Sequence, residues 1–164
     1  MSKRLNLREF QQSLSNRMQA KDRTGDQATT LGILIAGQNW LVDMSDISEV
    51  LPLPPLTRVP ISKPWFRGVA NVRGNLYCVV DMAAYQHKGL LDVNSSNRVL
   101  LVAEKHAFNS ALLVDRVFGL RDTRAWQQTV VDGKTEYRDG QGAKWNKLDI
   151  IELLNENEFL QVGI

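Results

Sequence analysis

Phe66-Arg67-Gly68-Val69-Ala70-Asn71-Val72-Arg73-Gly74-Asn75-Leu76-Tyr77-Cys78-Val79-Val80-Asp81 reads as two apolar strands folded around a short polar turn. Arg73 stands at the bend, with Gly74 after it and Asn71 two residues before it. Gly68 and Gly74 mark backbone requirements, since glycine permits tight turns and positive φ. Asp81 closes the second strand, where its carboxylate is placed to accept N–H bonds from a following helical turn. Apart from Asp81 the segment holds no nucleophile and no general base. It suits a surface that recognises another protein better than a site that makes or breaks bonds.

Outward from this hairpin the chain continues as short β segments. Upstream, Thr30–Ala36 and Trp40–Met44 flank Gly37-Gln38-Asn39, a tight turn. Ser45 to Val50 starts as a helical turn capped by Ser45 and runs into a connector punctuated by Pro52, Pro54, Pro55, Pro60 and Pro64, where regular pairing is blocked. Downstream, Asp81 to Gln86 is a short helix. Arg98–Ala103 and Ser110–Val114 are strands joined near His106–Asn109, and Val117–Arg121 continues their sheet. Residues 122–146 read as loops between weak strands, and Leu148–Leu154 as a final strand leading into a short C-terminal helix. Many short strands at this spacing indicate small β-barrels or a sandwich. Before all of these, Leu7, Phe10, Leu14 and Met18 recur on one face of a helix over residues 5–21, with Thr24-Gly25-Asp26 as a breaker.

Composition narrows the function. With 164 residues, 43% hydrophobic and 23% charged, the chain suits one soluble domain or two small lobes sharing a core. No apolar run is long enough to span a bilayer, and the basic N-terminus lacks the apolar stretch of a signal peptide, so the cytosol is the expected compartment. The single cysteine, Cys78, cannot form an internal disulfide and reads as a small buried hydrophobe. A net charge of +2 is too balanced for a protein that grips phosphates. The positive excess sits in residues 1–25, where Lys3, Arg4, Arg8, Arg17, Lys21 and Arg23 face only Glu9 and Asp22.

The two histidines, His87 and His106, fall in separate loops without ligand spacing and read as surface residues. There is no phosphate loop, dinucleotide fingerprint or nucleophile elbow. Asp43, Asp81 and Asp115 each follow an apolar strand and read as turn caps; a divalent-metal enzyme built on them is the weakest reading. A barrel binding single-stranded nucleic acid finds support only in Arg121, Arg124 and Trp126, with acidic residues around them. No catalytic residue, cofactor or metal is expected. Arg73 keeps two readings, a fork to a backbone carbonyl or to Glu49 within the fold, and an arginine rim at an interface.

These residues carry a resemblance to the CheW-like domain, the coupling adaptor of bacterial chemosensory arrays. Gly68, Asn71, Val72, Arg73 and Gly74, followed by Leu76 to Asp81, match the family's signature. Glu49-Val50, Leu56 to Pro60, Arg98 to Val102 and Ala111 to Val117 match its flanks, so the likeness covers residues 29–155. Residues 1–25 are then an added amphipathic helix and residues 156–164 a tail. The N-terminal helix and residues 29–50 are most similar to adaptors of the systems that control type IV pili and twitching motility. One departure is plain: where the family has a long aliphatic last strand, this chain has Asp139 to Asp149, with Trp145, Asn146 and Lys147 inside it.

The resemblance implies a mainly β fold of two packed five-stranded SH3-like β-barrels with a hydrophobic groove between them. It implies no enzymatic activity. It implies two partners, the regulatory domain of a CheA-type histidine kinase and the cytoplasmic tip of a methyl-accepting receptor, with no nucleic acid and no direct membrane insertion. Matching positions for partner contact are Ile47, Glu49, Arg58, Asn71, Val72 and Arg73, with Ile47 and Val72 supplying apolar contact to a receptor helix.

Overall fold

The apolar alternation builds two antiparallel-rich sheets in the computed structural model, which describes residues 30–161. The helix expected over residues 5–21 lies outside the described residues. The elements run β1 (Thr30–Ile35), β2 (Gln38–Asp43), β3 (Ile47–Pro52), β4 (Phe66–Val72), β5 (Asn75–Asp81), α1 (Met82–Tyr85), β6 (Arg98–Val102), β7 (Ser110–Val114), β8 (Arg116–Arg121), β9 (Gln127–Val131), β10 (Lys134–Arg138), β11 (Lys144–Lys147), α2 (Ile150–Leu154) and α3 (Asn157–Leu160). One sheet has five strands in the order β3-β6-β7-β5-β4; the other has six, β8-β1-β2-β11-β10-β9, one more than expected.

The chain crosses between the sheets twice. It leaves the six-stranded sheet through a 3-10 turn, Met44–Asp46, and returns at Asp115. Val117–Arg121 therefore belongs with β1 rather than continuing the sheet of β6 and β7. Asp115 fixes the return: its N–H donates to the Leu34 carbonyl at 3.0 Å, and its carboxylate accepts the Ala36 N–H at 2.6 Å.

Among the described residues the main core draws on both sheets. Ile33 and Ile35 of β1, Val79 and Val80 of β5, Leu100 of β6 and Leu112 of β7 belong to one buried cluster. Each such aliphatic side chain contributes about 1.5–3 kcal/mol when fully buried.

Two-residue turns close three hairpins: Ala36-Gly37, Arg73-Gly74 and Asp132-Gly133, with φ positive at both positions of each. Such turns match the right-handed twist of the flanking strands. The first therefore sits one residue earlier than Gly37-Gln38-Asn39.

The C-terminal part differs most from the sequence reading. The strand that completes the six-stranded sheet is Lys144–Lys147, parallel to β2, and the apolar stretch after it is helical. Asp149 caps α2 by accepting the Glu152 N–H at 3.1 Å. Residues after 155, read as a tail, include α3, whose Phe159 is 5% exposed. Phe159 stacks on Trp65 with ring centres 6.1 Å apart and meets Tyr85 edge-on at 5.6 Å. His106 is likewise no free surface histidine: its Nε2 lies 2.8 Å from Asp46 Oδ1, and both side chains are largely buried.

Candidate functional site

β4 and β5 pair from Val72–Asn75 at the tip back to Phe66–Val80 at the base. The turn holds Arg73 at φ +54° and Gly74 at φ +86°. Asn71 braces it from within the hairpin, its Oδ1 accepting the Gly74 N–H at 2.9 Å. That conformation is uncommon for a residue other than glycine, and it throws the Arg73 side chain off the hairpin end.

The guanidinium lands on Glu49 of β3. Nη1 and Nη2 donate to the two carboxylate oxygens at 2.6 Å each, a planar two-bond fork. β3 and β4 are the opposite edges of the five-stranded sheet, so the pair ties the hairpin tip to the far edge. The tie is on the surface: Arg73 is 72% exposed and Glu49 29%. The Glu49 carboxylate, first by hydrogen bond and then by charge, holds the Arg73 pKa above its already high ordinary value. Beneath the fork lies a cleft of about 370 Å³ lined by Ser48, Glu49, Val72, Arg73, Tyr77 and Leu101.

At the other end of the hairpin the connector crosses β4. Thr57 and Val69 exchange two backbone hydrogen bonds, each 2.8 Å. A Cβ on Gly68 would stand 2.4 Å from the Thr57 carbonyl oxygen and 3.3 Å from the Arg58 Cα, so the crossing demands glycine there. Arg58 is thereby presented, exposed, beside Gly68. At about 3.3 Å per residue, it is roughly 13 Å along the strand from Val72.

The structure thus brings Glu49, Val72 and Arg73 together and gives Asn71 the task of holding their turn. Arg58 stands apart, on the connector that crosses β4. Ile47 is 5% exposed and packs in the core cluster. Tyr77 and Leu101, not singled out in the sequence, complete the cleft. The alternation Asn75, Tyr77, Val79 was a signal for Tyr77. Leu101 reaches the cleft only because β6 pairs with β3 opposite Glu49, a register no local pattern records.

Asp81 anchors the hairpin base. Fully buried, it accepts from the Ala84 N–H at 3.1 Å, the Leu91 N–H at 2.9 Å and Arg67 Nη1 at 3.2 Å. Its carboxylate is used up by capping α1, pinning the following loop and pairing Arg67. Among the described residues no group of three or more His, Cys, Asp or Glu side chains is arranged to hold a metal ion. The cleft offers a charged, hydrogen-bonded ledge over a small apolar floor, a surface for binding.

Two packed sheets with this hairpin define a class of small, mainly β domains. The CheW-like domain model matches residues 29–156, and the chain belongs to that family. Protein PilI of Pseudomonas aeruginosa (strain PAO1) is 35% identical over 91 residues. That alignment covers 56% of this chain and 51% of PilI, so the chain spans about half the length of this relative. In fold it is similar to the crystal structure of scaffolding protein TtCheW from Thermoanaerobacter tengcongensis, with a TM-score of 0.64 at 18% identity over 78% of this chain and 92% of that one.

Proposed function

We propose that the protein is a non-enzymatic adaptor that couples a methyl-accepting chemoreceptor to a CheA-type histidine kinase. It would work within a membrane-associated chemosensory array that controls type IV pili and twitching motility. Family membership over residues 29–156 carries the adaptor reading, and the likeness to PilI supports the pilus system. In this reading the work is thermodynamic: an adaptor that binds both partners lets receptor state bias kinase state through linked interfaces.

The Glu49–Arg73 ledge with Val72 beneath it is the surface proposed for partner contact, and Arg58 is a second, separate contact. Arginine is enriched at interface hot spots, and this one is pre-positioned by its turn and its fork, so little freedom is lost on binding. Asn71 acts by holding the turn. No helix among the described residues is long and apolar enough to cross a membrane, so array association would run through the receptor.

The test is calorimetric titration of the full chain against the regulatory domain of a CheA-type kinase from the same genome. A variant lacking residues 1–25 is titrated alongside. Saturable binding is the expected result. Absence of binding at concentrations where a known adaptor–kinase pair saturates would remove the coupling role.

A further inference from the structure

The six-stranded sheet has a second concavity, on the face turned away from the main core. It encloses about 600 Å³ and is lined by Asn39, Phe118, Arg121, Asp139, Gln141 and Trp145. Register explains the grouping. Ile33 and Ile35 face the core, so Gly32 and Leu34 face outward, and Asn39 shares their side as the partner of Leu34. This is also the stretch where the sequence departs from its family, with Trp145 standing in the expected aliphatic run.

The pocket is built around an arginine. A Cβ on Gly32 would lie 3.0 Å from the Trp145 ring and 3.2 Å from the Arg121 Cγ, so glycine leaves the floor open for both. Phe118 meets Trp145 edge-on at 5.8 Å. The Arg121 guanidinium lies 6.0 Å from the Phe118 ring centre and 5.9 Å from that of Trp145. Its Nη1 donates to the Phe118 and Leu120 carbonyls at 3.3 and 3.0 Å. Among the described residues its remaining N–H groups meet no acceptor, and no carboxylate lies at ion-pair distance.

Asp139 stands beyond ion-pair distance of Arg121, although that charge, after the Trp145, Ala143 and Gln141 hydrogen bonds, helps hold its carboxyl below the usual range. Oδ1 accepts the Gln141 and Ala143 N–H groups, both at 2.9 Å, and Oδ2 accepts the Trp145 indole N–H at 3.1 Å. Two further cations stand nearby, Arg116 over the Phe118 ring at 5.4 Å and Arg138 bonded to the Gly142 carbonyl. The surroundings are net positive, yet one wall is anionic.

We propose that this concavity binds a carboxylate, received by the free edge of the Arg121 guanidinium beside Phe118 and Trp145. A planar monoanion fits the arginine fork. A phosphate dianion would meet Asp139 with twice the charge. Base stacking is not offered, since Trp145 is only 5% exposed. The carboxylate comes either from an acidic side chain of a partner polypeptide or from a free small acid.

The test follows the Trp145 indole N–H by ¹H–¹⁵N NMR while the full chain is titrated with N-acetyl-Gly-Glu-Gly-amide, its Gln counterpart, sodium acetate or inorganic phosphate. A saturable shift with the Glu peptide and not with the Gln peptide is expected. A weaker response to acetate points to the polypeptide source; saturation by acetate at equal concentration points to the free acid. Arg121→Lys should weaken binding at least tenfold, and Arg121→Gln should abolish it. Asn39→Asp, which supplies an internal carboxylate, should block the pocket with Arg121 intact and decides the matter if the arginine variants fail to fold. The proposal is overturned by no shift, by equal response to phosphate, or by binding that survives these substitutions. None of these arms involves the kinase or the receptor, so the result stands apart from the coupling role.

Discussion

Of the two readings the sequence offered for Arg73, the structure shows the fork onto Glu49, and the partner contact is the role proposed for it. Arg73 remains 72% exposed, so the fork shapes a surface without removing it from solvent. An exposed pair adds little to stability, because Coulomb gain in water is small and ordering two side chains costs entropy. Arg73→Glu should therefore leave the thermal midpoint essentially unchanged while weakening titrated kinase binding at least tenfold. A collapse of the midpoint would make the residue structural. Asp81 is the opposite case, a buried carboxylate with three donors, and Asp81→Ala should cost about 3–5 kcal/mol in urea unfolding. The sequence foresaw the capping role of Asp81 because the apolar strand before it and the helical turn after it are both local. It could not foresee that Ile47 is buried, since that depends on which sheet β3 joins.

At the scale of elements, the hairpin β4–β5 was legible from alternation and from its Arg-Gly turn, and β6 and β7 from their aliphatic runs. β3 was not, because prolines follow it closely and its partner β6 lies some 50 residues away. The last strand was misplaced for a related reason. Lys144–Lys147 is polar by composition and owes its place to Trp145 and to pairing with β2, while the more apolar residues beyond are capped into a helix by Asp149. The connector depends on Gly68. Gly68→Ala would set a methyl against the Thr57 carbonyl at positive φ, a strain of about 1–3 kcal/mol. It should raise hydrogen exchange at the Thr57 and Val69 amides and reduce partner binding through Arg58. α3 is held by a different device, a hydrogen bond from the Tyr85 hydroxyl to Glu156 within the Trp65–Tyr85–Phe159 cluster. Burial first, and the Glu156 bond second, push the Tyr85 phenol above its ordinary value of 10.0. The fold favours the neutral phenol, so its contribution is complete below about pH 10 and is lost as the pH climbs past that value. Stability should fall on the alkaline side, and Tyr85→Phe should remove that part of the pH dependence in melts run between pH 8 and pH 11.

Over the whole molecule, the two crossings decide how the protein unfolds. If each sheet owned a continuous stretch of chain, two lobes with separate transitions would be possible. Here the chain leaves the six-stranded sheet after β2, enters the other at β3, and comes back only at Asp115. The five-stranded sheet is thus an insertion between two parts of the other. Its aliphatic face packs on Ile33 and Ile35 in one cluster that neither sheet can form alone. Opening either sheet exposes the core of both, which is the condition for all-or-none behaviour. Far-ultraviolet circular dichroism and tryptophan fluorescence should trace one coincident urea transition, with calorimetric and van't Hoff enthalpies equal. Asp115→Ala tests the hinge of this arrangement. It leaves the Ala36 N–H without its acceptor in a turn already at positive φ and frees the return strand. Loss of a charge-assisted bond of this kind costs about 1.5–3 kcal/mol, and the single transition should move to lower urea without splitting. Two resolved transitions, in the parent or in this variant, would show that the sheets are independent units and that the shared core does not couple them.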